Sequence, residues 1–346
     1  MRKSIAIVIL VVGLFWCSCQ DLFFNPEPEN TPPENFDLLW REFDQLYSLF
    51  DVKHVNWDSL YAVYRPQVTT ATPPSALFDI MASMLSVLND GHVYLISPFR
   101  GFASNEEAER TWRRNFTFST VSGWYLKNTE QSAGSGRFIY GTVAPGIGYL
   151  LITSFEDVDF GAIDAWAKDI DNVVRDLSGN NGLIVDIRNN GGGDAFNAQY
   201  IARRFADQRR LFSLGYTRNG PHHADRSSPY EWYTSPGGPI QFTRPIVLLT
   251  NRFTASAAER FAFSMKVLPY VTVVGDTTQG AMPHAVPREL PNGWTYRVTV
   301  GLVTAADGTI YEGVGIPPDI PVNITPADSA MHKDTILDAA IQKLSN

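Results

Sequence analysis

From Phe36 onward apolar positions recur at helical spacing: Phe36, Leu39, Trp40, Phe43, Leu46, Tyr47 and Phe50 share one face. The same period predicts a short helix at 57–64, stopped by Pro66, and a third over 75–88, where Leu77, Ile80, Met81, Met84, Leu85 and Leu88 align. Residues 36–92 therefore read as a helical N-terminal subdomain. Across 93–147 the period changes: aromatics and threonines alternate with polar residues between Gly and Ser clusters, which predicts a short β/loop region. From 148 strands and helices take turns. The pattern predicts a strand at 148–155, an amphipathic helix at 163–177, a buried strand L-I-V-D-I at 183–187, a turn N-N-G-G-G-D at 189–194 and a helix through about 205. Residues 211–245 are polar, aromatic and rich in Pro and Gly, and read as a long surface excursion. A buried strand at 246–250, helical spacing at 260–268, and strands at 271–275 and 296–303 follow, with a C-terminal helix in 327–346. Such alternation predicts an α/β core over 148–326 with a partly parallel sheet.

The N-terminus is of another kind. M-R-K followed by a short apolar run makes residues 1–18 a secretory signal peptide, too short to favour a spanning helix. Residues 19–35 hold Pro and Glu at a density that predicts an extended tether. Cys17 and Cys19 are the only cysteines, so no disulfide framework beyond that pair is available. A formal net charge of -8 without a basic cluster argues against a nucleic-acid partner. With no H-E-x-x-H and no metal-spaced Cys/His cluster, nothing in the sequence calls for a metal or an organic cofactor.

Ser256 stands in T-A-S-A-A-E, between a buried strand and a helix, where many enzymes keep a nucleophile. The Ala257 N–H, at the helix start, is a candidate oxyanion donor. Gly191, Gly192 and Gly193 follow another buried strand and expose backbone N–H groups that could hold an oxyanion, although a lone G-G-G is more often only a tight turn. A serine needs a base. Six histidines are available, and His92 is distinctive by place, standing in L-N-D-G-H-V-Y-L after a helix and before a strand. Position alone makes it a cap or turn histidine. Lys266 is the nearest lysine in sequence and reads as a snorkelling surface residue.

L-N-D-G-H, G-Y-L-L-I-T-S-F, L-I-V-D-I-R-N-N-G-G-G, T-A-S-A-A-E and G-V-G-I-P-P-D occur in one order from Phe36 to Val322. In that order they resemble the tail-specific (C-terminal-processing) serine protease family. The resemblance implies a crotonase/ClpP-like α/β core, Ser256 as nucleophile, and Glu259 matching a family glutamate on the same helix face. Where lysine-dyad members carry their base, G-D-T-T-Q-G-A places Ala281. The chain instead resembles the tricorn-like branch, which implies His92 as base and Glu312, in E-G-V-G-I-P-P-D, as the carboxylate that orients it, directly or through water. That branch can carry a serine before the histidine; here Gly91 stands there. Only 93–147 separates His92 from the core, so no full PDZ domain is expected. Arg110, Arg113 and Arg114 could meet a peptide carboxylate or form a solvated face.

Ser18-Cys19 resembles the acylated cysteine of a bacterial lipoprotein. This implies a membrane attachment through an N-terminal lipid at Cys19 and a place in the cell envelope, as an outer-membrane lipoprotein. The function implied is an exported serine peptidase acting on peptides or unfolded segments. The alternative is a ligand-binding or scaffold protein on the same fold, since the resemblance extends to the interphotoreceptor retinoid-binding proteins.

Overall fold

The computed structural model describes residues 28–158 and 163–346. The signal segment, Cys19 and the tether up to 27 lie outside the described residues. Three helices come first: α1 (Pro32–Leu46), α2 (Trp57–Tyr64) and α3 (Pro74–Ser86). α1 begins inside the expected tether. Thr31 Oγ1 accepts the Glu34 N–H at 3.4 Å, and Pro32 and Pro33 fill the first helical positions, where a missing N–H costs nothing. The Pro-rich end of 19–35 is thus a helix start, and Asn35 is buried.

In chain order there follow β1 (Tyr94–Ser97), β2 (Arg100–Ala103), β3 (Gln131–Ala133), β4 (Phe138–Ala144), β5 (Ile147–Ile152), α4 (Ile170–Leu177), β6 (Gly182–Asp186) and α5 (Ala195–Ala202). Then come β7 (Arg210–Thr217), β8 (Tyr230–Thr234), β9 (Ile246–Thr250), α6 (Ala257–Lys266), β10 (Val271–Gly275), β11 (Ala285–Glu289), β12 (Thr295–Thr299), β13 (Gly301–Ala305), β14 (Ile320–Pro321) and α7 (Thr335–Ser345).

The central sheet runs β14-β10-β9-β6-β5-β4-β3, parallel from β5 through β14 and antiparallel at β3-β4-β5. Its inner strands are uninterrupted apolar runs because both faces are covered. Ile246 and Leu248 of β9 point to the layer of α4, α5 and α6, and Val247 and Leu249 to the layer of α7, Val121 and Leu126. β3 and β4 lie in the expected β/loop region, so the core sheet starts before 148, and 93–147 is no unit of its own: β1 and β2 join another sheet.

That other sheet, β11-β12-β1-β2, is antiparallel and packs against α1–α3, with Tyr296, Val298 and Trp294 in one core with Phe36, Phe43 and Met81. The helical subdomain therefore does not bury its apolar faces alone. Two further expectations change. The excursion 211–245 contains β7 and β8, which pair with each other, and β7 also pairs with β13 to make a third sheet. The single strand expected at 296–303 is two, β12 and β13, one in each peripheral sheet.

Candidate active site

β6 and β9 are parallel neighbours, so the turns after them open on the same end of the sheet, where α/β folds place their ligands. The turns are laced together. Asn189 N donates to Asn251 Oδ1 at 2.9 Å, Asn251 Nδ2 to Asn189 Oδ1 at 2.7 Å, and Ala255 N to Asn190 O at 3.0 Å. Ser256 caps α6 with φ 55° and ψ -120°, a region costly to any side chain and found where function demands it.

Glu259 holds this elbow. Fully buried, its Oε2 accepts the Ser256 N–H (3.1 Å) and the Ala281 N–H (2.8 Å). Its Oε1 accepts the Thr278 hydroxyl (2.6 Å) and the Gly280 N–H (2.7 Å). Burial pushes the Glu259 carboxyl up, opposed by these hydrogen bonds to its ionised form. Ser256 N also donates to Ala281 O at 2.9 Å. Ala281, in the place of a lysine, is thus buried scaffold against the nucleophile's own backbone. A Cβ on Gly91 would lie 2.5 Å from Gln279 Nε2 and 3.1 Å from the Ala281 Cβ, so the histidine loop packs directly on this segment.

The sequence-predicted serine and histidine meet: His92 Nε2 lies 3.2 Å from Ser256 Oγ. His92 is 8% exposed, and its backbone N–H donates to Asp90 Oδ1 at 2.8 Å. Burial lowers the imidazole to about 4, with Asp90 opposing and Arg297, Arg260 and His284 adding to the fall. Glu312 is also buried, and no direct hydrogen bond joins it to His92; its Oε2 accepts the Met282 N–H at 3.4 Å. Burial raises Glu312 to about 8, with Asp90 pushing the same way and Lys53 against it. Lys53 Nζ, from the helical segment, stands 3.3 Å from Glu312 Oε1 and donates to Asn89 O at 3.1 Å. Tyr47 and Thr299 hydroxyls donate to Asp90 Oδ2 at 3.0 and 2.9 Å. Sequence reasoning missed Lys53, Tyr47 and Thr299. Asp90, two residues before His92, was visible in the motif and given no role.

Of the candidate oxyanion donors, Gly192 is already engaged: its N–H donates to Asn190 Oδ1 at 2.9 Å. This removes it from the expected set. Gly193 (φ 133°) lines the cleft with Ala257, and a Cβ on Gly192 would touch Ala257 N at 2.9 Å, which places this turn against the elbow. Lys266 ion-pairs with Asp319 at the far end of α6. Arg110 pairs with Glu106 and Arg114 lies over the Phe253 ring; neither lines the Ser256 cleft. That cleft has a volume of about 470 Å³ and is walled by Phe196, Tyr230, Trp232, Arg260, His284 and Arg297.

A hydroxyl on a strained elbow, an imidazole in contact with it and a buried carboxylate nearby define a serine-hydrolase type of site. Comparison with known proteins agrees. Residues 146–322 match Peptidase family S41, and residues 28–86 match the Tricorn protease C1 domain. A C-terminal processing peptidase of Tetradesmus obliquus chloroplasts is 25% identical over 261 residues, 75% of this chain and 52% of that protein. The Tricorn protease of Thermoplasma acidophilum is 31% identical over 165 residues, 47% of this chain and 14% of that one. The chain thus spans about half, or less, of the length of these curated relatives. A crystal structure described as a candidate peptidase of Parabacteroides merdae superposes with a TM-score of 0.82 at 34% identity, covering 91% of this chain and 97% of that one. The chain belongs to peptidase family S41, the tail-specific proteases.

Proposed function

We propose that the protein is a serine peptidase that cleaves peptides or unfolded segments through an acyl-enzyme on Ser256, with His92 as general base. The 3.2 Å contact between Ser256 Oγ and His92 Nε2 at the strained elbow carries this reading. Burial keeps His92 neutral, so Nε2 can take the hydroxyl proton as Oγ adds to the carbonyl carbon. The oxyanion accepts from the Gly193 and Ala257 N–H groups. The imidazolium then gives its proton to the leaving amine, and water, deprotonated by the same nitrogen, releases the acid. Glu312 acts by charge on the imidazolium, with Lys53 favouring its ionised form.

Ser256→Ala should fold as the wild type does, lose labelling by a fluorophosphonate and lose peptide hydrolysis read by mass spectrometry. Full labelling of that variant would defeat the assignment, and a wild type that takes no label would favour the ligand-binding alternative. We propose further that the mature protein is exported and anchored by a lipid on Cys19, from the signal-like segment before it. Alkyne fatty-acid labelling should mark the wild type and spare Cys19→Ala; equal labelling of both would reject the anchor.

A further inference from the structure

The cleft beside Ser256 is walled by two arginines and a histidine from separate elements. Arg260 lies four residues after Ser256, one turn along the same face of α6. Arg297 comes from β12, and His284 precedes β11. The Arg260 guanidinium carbon lies 4.8 Å from the Trp232 ring centroid, and burial pulls its pKa below the ordinary range. Among the described residues, Arg297 Nε and Nη2 donate to the Ala285 carbonyl, at 3.4 Å.

Among the described residues, neither arginine has a carboxylate within ion-pair distance, whereas Arg188 pairs with Asp186 and Asp334, and Arg204 with Asp171. Two aspartates do line the cleft, but Asp194 Oδ1 is taken up by the Phe196 and Asn197 N–H groups at the start of α5, and Asp157 is exposed. Half-buried arginines without an ion-paired carboxylate have part of their desolvation uncompensated, and an anion entering the cleft offsets that cost. Tyr230 and Trp232, two apart on β8, share a face and with Phe196 give an apolar wall for the stem of such a group.

We propose that Arg260 and Arg297, with His284 at the margin, form a carboxylate-binding subsite, and that favoured substrates present an acidic side chain within a residue or two of the cleaved bond. The location of that bond rests on the Ser256 reading; the binding of the carboxylate does not.

The test separates the two. Three N-acetylated peptides of one sequence are used: an internal Glu with a C-terminal amide, an internal Gln with the amide, and an internal Gln with the free carboxylate. Their binding to Ser256→Ala is measured by calorimetry, and their turnover by the wild type by mass spectrometry. The internal-Glu peptide should bind about ten- to a hundredfold more tightly than the neutral one, as expected for charge-assisted hydrogen bonds. A gain confined to the peptide with the free C-terminal carboxylate overturns the acidic-side-chain assignment. The ratio should fall to within about twofold when Arg297→Gln is added to Ser256→Ala. Arg260→Gln provides a second, independent loss should either protein fold poorly, as judged by thermal melting. Equal binding of all three peptides, binding of none, or a preference that survives Arg260→Gln/Arg297→Gln overturns the subsite. Carboxylate preference in Ser256→Ala without any wild-type hydrolysis would leave the subsite standing and refute the peptidase instead.

Discussion

Replacing Glu259 by Gln tests how the elbow is held. Each carboxylate oxygen accepts two hydrogen bonds, and an amide can offer only one oxygen to these donors. If the amide nitrogen faces the Thr278 side, the hydroxyl can turn to accept from it, but the Gly280 N–H is stranded. If it faces the other side, Ser256 N keeps its bond to Ala281 O while the Ala281 N–H loses its partner. Either orientation leaves one buried donor unsatisfied, at about 1–3 kcal/mol, and the remaining bonds lose their charge assistance. A total of about 2–4 kcal/mol is expected, against a net stability of about 5–15 kcal/mol for a typical domain. Glu259→Ala strands the Thr278, Gly280 and Ala281 donors together and adds a cavity, roughly 4–8 kcal/mol, enough to threaten folding. Urea unfolding of the Gln variant gives the stability, and the rate of fluorophosphonate labelling reports the elbow. Labelling should slow by about tenfold or more, while the pH midpoint of the reaction stays in place, because Glu259 does not touch the reacting atoms. A Gln variant within about 1 kcal/mol of wild type, labelled at the wild-type rate, would refute this reasoning.

Two further outcomes concern the base. Activity should require neutral His92, so kcat/KM should rise with pH through a midpoint well below the ordinary 6.5, toward the value of about 4 that burial imposes. His92→Ala should cost several orders of magnitude with Lys266→Ala nearly silent; a second rise near 8 belongs to Glu312, whereas a low-pH limb that survives His92→Ala would reject the assignment. Lys53→Met removes the cation that opposes protonation of Glu312, so Glu312 should stay neutral to higher pH and kcat should fall by roughly ten- to a hundredfold near neutrality. Unchanged kcat across pH 6–9 in that variant would show that the pair does not support the imidazolium.

The sequence by itself determined the motif order and the layered α/β core. Apolar runs such as 246–250 and 183–187, with helical spacing between them, allow little else than buried parallel strands with helices on both faces. It also placed Ser256 at a strand-to-helix turn, a local feature. It misread the start of α1, although T-P-P-E carried a proline-at-N1 signal, because Pro density was weighed before capping. It missed β7 and β8, polar and aromatic strands that pair with each other and whose sheet is completed when β13, 84 residues beyond the end of β7, pairs with β7. Tertiary structure alone decided the chemistry at the elbow. His92 and Ser256, 164 residues apart, touch because the sheet carrying β1 is packed against the core, and Lys53 reaches Glu312 across the same junction. Arg260, Arg297 and His284 converge for the same reason. Periodicity reports which face of an element is buried, but not which distant side chain it will face there, and that pairing decided that the Gly192 N–H is taken up and, among the described residues, which arginines have no carboxylate in ion-pair reach.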